Sequence, residues 1–210
     1  MTRWTTLALS AALGFASPAW SQSVTAPRPA LKVGEVSTYA VNSRHDSRNY
    51  DEKITITEAG PDGYKAKVEL ANDPTRTRDL VMDADLGTVM SSNGSRFTPA
   101  ARTLKFPLEV GASWESRSDV VLADGGKSRL TFDSKVAGVE NVRTPAGEFE
   151  AFRIETRGGI QGLSWNGYFR VVQTQWYAPS LQRVVRSEYK EQRTSGLDTV
   201  RELKAVEPTR

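Results

Sequence analysis

Between residues 31 and 207 the chain alternates apolar and polar side chains in short runs, and turn signals interrupt those runs at close intervals. Tyr64, Ala66, Val68 and Leu70 alternate with Lys65, Lys67 and Glu69. Leu130, Phe132 and Val136 alternate with Arg129, Asp133 and Lys135, and Ile54 and Ile56 share one face of a third run. A period of two places one face of a strand in a core and the other in water. Gly60-Pro61-Asp62-Gly63, Asp124-Gly125-Gly126, Thr144-Pro145-Ala146-Gly147 and Asn166-Gly167 supply turn geometry between the runs. No run sustains a period of 3.6 residues. The reading is all-β, with about eleven to thirteen antiparallel strands joined mostly by hairpins in a strongly curved sheet, half-barrel or barrel.

Two segments break the alternation. Phe149 and Ala151 are followed by Phe152 and Ile154; Phe169 and Val171 are followed by Val172 and Trp176. A bulge that switches the facing predicts this pattern, and so does burial of both faces.

Residues 1–21 read as a cleaved secretory signal peptide. Arg3 precedes the short apolar stretch Leu7–Phe15, and Ala19-Trp20-Ser21 places small residues before a cleavage point at Ser21/Gln22. The expected location is periplasmic, with no transmembrane segment in the mature chain. Residues 22–30 read as a flexible leader, and residues 31–207 as a single β domain. Within it, Leu31-Lys32-Val33-Gly34 resembles Leu108-Glu109-Val110-Gly111, and residues 82–89 resemble 176–184. Two similar halves, 31–106 and 107–207, follow, with extra length expected around Val139 to Gly147.

Composition excludes several chemistries. With no cysteine there is no disulfide framework, thiolate metal site or thiol nucleophile, and one histidine precludes a multi-histidine metal site. No cofactor or metal is expected. A net charge of +3 spread along the chain is no nucleic-acid footprint.

The candidate chemistry is correspondingly thin. His45, beside Asp46, is the alternative hydrolase residue, but it sits in a polar run and the chain lacks a Gly-x-Ser-x-Gly elbow. Asp79, Asp83 and Asp85 before Gly87 suggest a calcium loop only faintly, since the distal glutamate is missing; a hairpin turn explains them. Glu148, Glu150 and Glu155 read as charge on a solvated strand face. Trp114, Trp165, Tyr168, Trp176 and Tyr177 lie near expected strand ends. There they either fill the core or form a stacking platform at the mouth of an apolar cavity.

The order Phe106-Pro107-Leu108-x-Val110-Gly111-x-x-Trp114, then Thr144-Pro145-Ala146-Gly147-x-Phe149, then Trp176-Tyr177-Ala178-Pro179 resembles a group of exported bacterial β-rich domains of unknown function. Some of these look like the curled sheets of periplasmic lipoprotein carriers, although carriers cover the sheet with helices for which this sequence offers no pattern. The resemblance implies a fold and a compartment, and it brings no catalytic residues. The functional expectation is a non-enzymatic periplasmic protein that binds a lipid, a glycan or an envelope protein. A structural accessory subunit without a small-molecule pocket is the rival.

Overall fold

The computed structural model describes residues 25–44, 48–71, 73–193 and 196–207. The described residues form fourteen strands and no helix: β1 (Thr25–Ala26), β2 (Val36–Ser43), β3 (Arg48–Gly60), β4 (Gly63–Leu70), β5 (Asp73–Asp83), β6 (Thr88–Met90), β7 (Arg96–Ala101), β8 (Leu108–Glu109), β9 (Ser113–Val121), β10 (Lys127–Thr144), β11 (Gly147–Gly162), β12 (Tyr168–Ala178), β13 (Arg183–Gln192) and β14 (Asp198–Glu207). Twelve of them close into one antiparallel barrel, and the two-residue strands β1 and β8 pair separately. Neighbours in the barrel follow chain order, with β7 pairing β9 and β14 closing onto β2.

The alternation seen in the sequence sets the wall. Tyr64, Ala66 and Val68 of β4 are buried while Lys65, Lys67 and Glu69 are not, and Leu130, Phe132, Ser134 and Val136 of β10 are buried in the same way. Ion pairs lace the outward face: Lys65 with Glu58, Lys67 with Asp79, Arg129 with Asp119, and Arg186 with Glu202. A bilayer-spanning barrel requires an apolar outward band, so this wall is built for water on the outside.

The segments that broke the alternation now have separate explanations. In β11 both faces are covered around Ala151 and Phe152, and the bulge lies on its partner β10, between Val136 and Gly138. Strand β12 keeps one facing throughout. Its pairing with β13 steps from Trp176↔Arg186 to Tyr177↔Val184, which leaves Val185 as the extra residue.

Successive hairpins alternate between the two ends of the barrel. One end is plugged. The connection 102–112 carries Leu104, Phe106 and Leu108 across it, and these bury against Val136, Phe152, Ile154 and Tyr177. Ala26 joins the same cluster and is fully buried. Residues 25–30 make specific contacts with the barrel. Arg28 pairs with Asp85 at 2.7 Å, the Tyr64 hydroxyl donates to the Pro29 carbonyl at 2.7 Å, and the Ala30 amide donates to Gln182 Oε1 at 2.5 Å. The tip of the long β10–β11 hairpin also folds in. The Ala146 amide donates to the Leu203 carbonyl at 3.0 Å, and Val142 and Ala151 bury with Ala178, Val185 and Leu203.

The segments 34–63 and 111–147 share a run of local features. Gly34 and Gly111 both take positive φ, 88° and 89°. Gly34 N donates to Ile56 O and Ile56 N to Glu35 O; Gly111 N donates to Val136 O and Val136 N to Ala112 O. A bulge follows in both β3 and β10, then a hairpin closed by a positive-φ glycine, Gly63 or Gly147. Leu86 and Gln182 are the two non-glycine residues with positive φ among the described residues; Leu86 lies in the turn after β5 and Gln182 in the turn after β12.

Candidate functional site

The register brings side chains of eight strands around an interior cavity of about 390 Å³. Ile54, Ile56, Val68, Leu80 and Met82 form an apolar wall on β3, β4 and β5. The opposite wall is polar and comes from β12, β13 and β14, where Gln175 pairs with Ser187 and Ser187 with Arg201. Directly paired residues of antiparallel strands share a face, so these three side chains form one row across three strands. The volume lies within the range of small-molecule sites, roughly 300–1,000 Å³.

The polar wall holds two ion pairs. Arg201 Nε meets Glu52 Oε2 at 2.8 Å, and its guanidinium lies 3.6 Å from the Tyr39 ring centroid. Arg183 Nη2 meets Glu35 Oε2 at 2.8 Å, and Arg183 Nη1 donates to Ser37 Oγ. Tyr39 is fixed in turn by its hydroxyl, which donates to the Val184 carbonyl at 2.9 Å. Among the described residues five fully buried side-chain polar atoms have no protein partner; Arg201 Nη2 and Gln175 Oε1 belong to this row, and Ser118 Oγ, Arg153 Nε and Arg186 Nε do not.

The five aromatics do not converge. Tyr177 is 1% exposed and packs edge-on against Phe106 at 5.0 Å, in the plug. Burial pushes its hydroxyl well above the ordinary tyrosine range. Trp114 also faces inward, against the same cluster, and its Nε1 donates to the Arg102 carbonyl at 3.4 Å. Trp176 faces outward. Its Nε1 donates to Glu140 Oε1 at 2.7 Å, and Arg186 lies 5.3 Å from its ring centroid. Trp165 and Tyr168 belong to the β11–β12 hairpin at the unplugged end and are 37% and 59% exposed. Trp165 stacks on Phe169 at 6.1 Å, and the hairpin is tied to its neighbour through Leu163 N and Lys127 O at 2.9 Å. Exposed Val121, the last residue of β9, and Leu163 and Leu197, in the β11–β12 and β13–β14 connections, lie at the same end. None of the five lines the interior cavity.

Of the other candidates, His45 and Asp46 lie outside the described residues. Asp83 forms the hairpin turn: its Oδ1 accepts from the Asp85 and Gly87 amides at 2.9 and 2.8 Å, and its Oδ2 from Arg102 at 2.6 Å. Glu148 pairs with Arg143 and Glu155 with Arg153 on the exterior.

Gln175, Ser187 and Arg201 belong to no sequence motif and become neighbours only through strand register. A signal was present, since Gln173 and Gln175 continue the inward parity of Phe169 and Val171. Polar residues at inward positions invert the usual economy of a strand, and that inversion marks a wet or occupied interior.

No protein-family model matches the chain, and no curated protein matches it in sequence. Solved structures do match in fold. A candidate lipoprotein from Parabacteroides distasonis superposes with a TM-score of 0.57 at 14% identity, covering 89% of this chain and 100% of that one. A candidate exported protein from Bacteroides fragilis, described as having a YmcC-like fold, gives 0.51 at 15% identity, covering 87% and 100%. At such identities the likeness is one of fold. It agrees with the all-β, strongly curved or barrel fold expected from the sequence.

Proposed function

We propose that this is an exported, non-enzymatic binding protein of the bacterial periplasm, and that its ligand is a small apolar or amphipathic molecule of the cell envelope, held inside the barrel. The interior cavity carries this reading, with the apolar wall of Ile54, Ile56, Val68, Leu80 and Met82 facing the polar row of Gln175, Ser187 and Arg201. An apolar surface with a few placed polar groups suits an amphipathic ligand. Export rests on the N-terminal pattern of residues 1–21, and the fold shared with exported and lipoprotein-like proteins supports it.

The test is native mass spectrometry of residues 22–210 purified without detergent from a bacterial periplasm. A reproducible added mass of lipid size is the expected result, and cleavage near Ser21/Gln22 is read from the same spectrum. A bare protein mass, retained after exposure to envelope lipid extract, would favour the accessory-subunit reading instead.

A further inference from the structure

Seven large hydrophobic side chains are exposed among the described residues, and five of them sit at the unplugged end of the barrel: Val121, Leu163, Trp165, Tyr168 and Leu197. They belong to the β9–β10, β11–β12 and β13–β14 hairpins, which follow one another around the rim. Two contacts tie these hairpins into one surface. The Leu163 amide donates to the Lys127 carbonyl at 2.9 Å, and the Arg193 guanidinium lies 4.2 Å from the centroid of Phe169, on which Trp165 stacks. Trp165 is also set in place, since its ring occupies the space that a Cβ at Gly162 or Gly167 would need. An exposed aromatic held in this way loses little side-chain freedom when something covers it. None of the five lines the cavity, so this surface is independent of the carrier reading.

Charge decides what covers it. Arg96 and Lys127 are the ladder partners of Val121 on its two sides, and directly paired residues share a face. Arg170 follows Tyr168 by two residues on the outward face of β12. All three cations are exposed, and none forms an ion pair with a described residue. The carboxylates of these hairpins are already matched: Asp119 by Arg129, Glu191 by Arg193, and Asp198 by Arg44 and Lys190. Asp124 is the exception, and its Oδ1 accepts from the Gly126 amide at 2.9 Å. An aromatic tip beside unmatched cations complements an anionic lipid surface, where Trp and Tyr rest at headgroup level and Lys and Arg meet phosphates. Lysine is depleted in protein–protein interfaces, whereas a lipid surface accepts it without a dedicated carboxylate.

We propose that the unplugged rim docks on an anionic phospholipid surface, with Leu163, Trp165 and Tyr168 entering the headgroup layer and Arg96, Lys127 and Arg170 against the phosphates. The docking is peripheral, and the ion-paired wall behind the rim stays in water.

The experiment is co-sedimentation of residues 22–210 with vesicles of phosphatidylcholine alone and with vesicles carrying about 30% phosphatidylglycerol, at low and at raised salt. The anionic vesicles are expected to bind about tenfold or more tightly than the neutral ones, and less tightly as salt rises. Trp165→Ser combined with Tyr168→Ser is expected to weaken that binding about tenfold, and so is Lys127→Glu combined with Arg170→Glu, each at an unchanged Tm. Val33→Ser combined with Val110→Ser alters the exposed valines of the plugged end and is expected to leave binding unchanged. Quenching of tryptophan fluorescence by brominated phosphatidylglycerol covers the case in which the aromatic variant fails to fold. It is expected in the unsubstituted protein and is lost in Trp165→Phe. Equal binding to both vesicle types overturns the proposal. So does binding that the rim substitutions leave untouched, or that the valine substitutions weaken as much. Failure to bind either vesicle type also overturns it and leaves the rim to a protein partner, with the carrier reading standing.

Discussion

Two adjacent glycines show how single residues shape the wall. Gly158 faces inward opposite Phe132, and a Cβ there would lie 2.0 Å from the Thr131 carbonyl oxygen. Gly159 faces outward beneath the Tyr168 ring, and its Cβ would lie 2.3 Å from the Tyr168 hydroxyl. Backbone cannot yield cheaply, whereas an exposed tyrosine can swing away. Gly158→Ala is therefore expected to cost about 1–3 kcal/mol in urea unfolding, and Gly159→Ala clearly less. Equal costs would show that Tyr168 is as fixed as the strand. Tyr177 and Tyr189 supply a second residue-scale prediction. Burial, aided at Tyr189 by Glu191, raises both hydroxyls above the ordinary value of 10.0. The folded state thus holds those protons more tightly than the unfolded state. Their contribution is fully present below pH 10 and is lost as pH rises above it. Alkaline unfolding should begin above pH 10, and Tyr177→Phe should shift its midpoint upward; an unchanged midpoint would remove Tyr177 as a cause.

At the scale of elements the barrel is uneven. Strands β10 and β11 pair through almost their whole length, while β6 pairs β5 at two positions and β7 at two, with register shifts at both. β7 meets β9 at three positions. This seam borders the cavity through Thr88, Ser91 and Ser92. Few ladder bonds mean low local opening free energy. Hydrogen exchange should therefore be fastest in β6 and β7 and slowest in the middle of β10 and β11. A protected seam would contradict the pairing. Element-scale reasoning also separates what was legible from what was not. The hairpin at Thr144–Gly147 was readable from Pro145 and Gly147, because local turn chemistry fixes it. That its tip folds onto Leu203 was not, because the contact joins residues far apart in sequence.

For the whole molecule, the strand count divides evenly at the connection 102–112, six barrel strands on each side. Each half alone would present two unpaired edge strands, β2 and β7 or β9 and β14. Open edges pair with whatever strand they meet. Fragments 25–106 and 107–207 are expected to aggregate when refolded separately and to form a one-to-one complex when refolded together, measured by size-exclusion chromatography with light scattering. Soluble monomers of either half would refute the mutual dependence.

The sequence by itself determined the all-β class, the inward and outward faces of β4 and β10 and most of the turns. These depend on side-chain period and local backbone preference, which neighbouring residues encode. Closure of the sheet, the packed course of residues 25–30 and the scattering of the five aromatics into plug, exterior and hairpin tip were decided by tertiary structure. So was the meeting of Gln175, Ser187 and Arg201 with Glu52. Each of these depends on strand register and on which edges meet, and that is fixed by burial summed over the whole barrel rather than by any one segment.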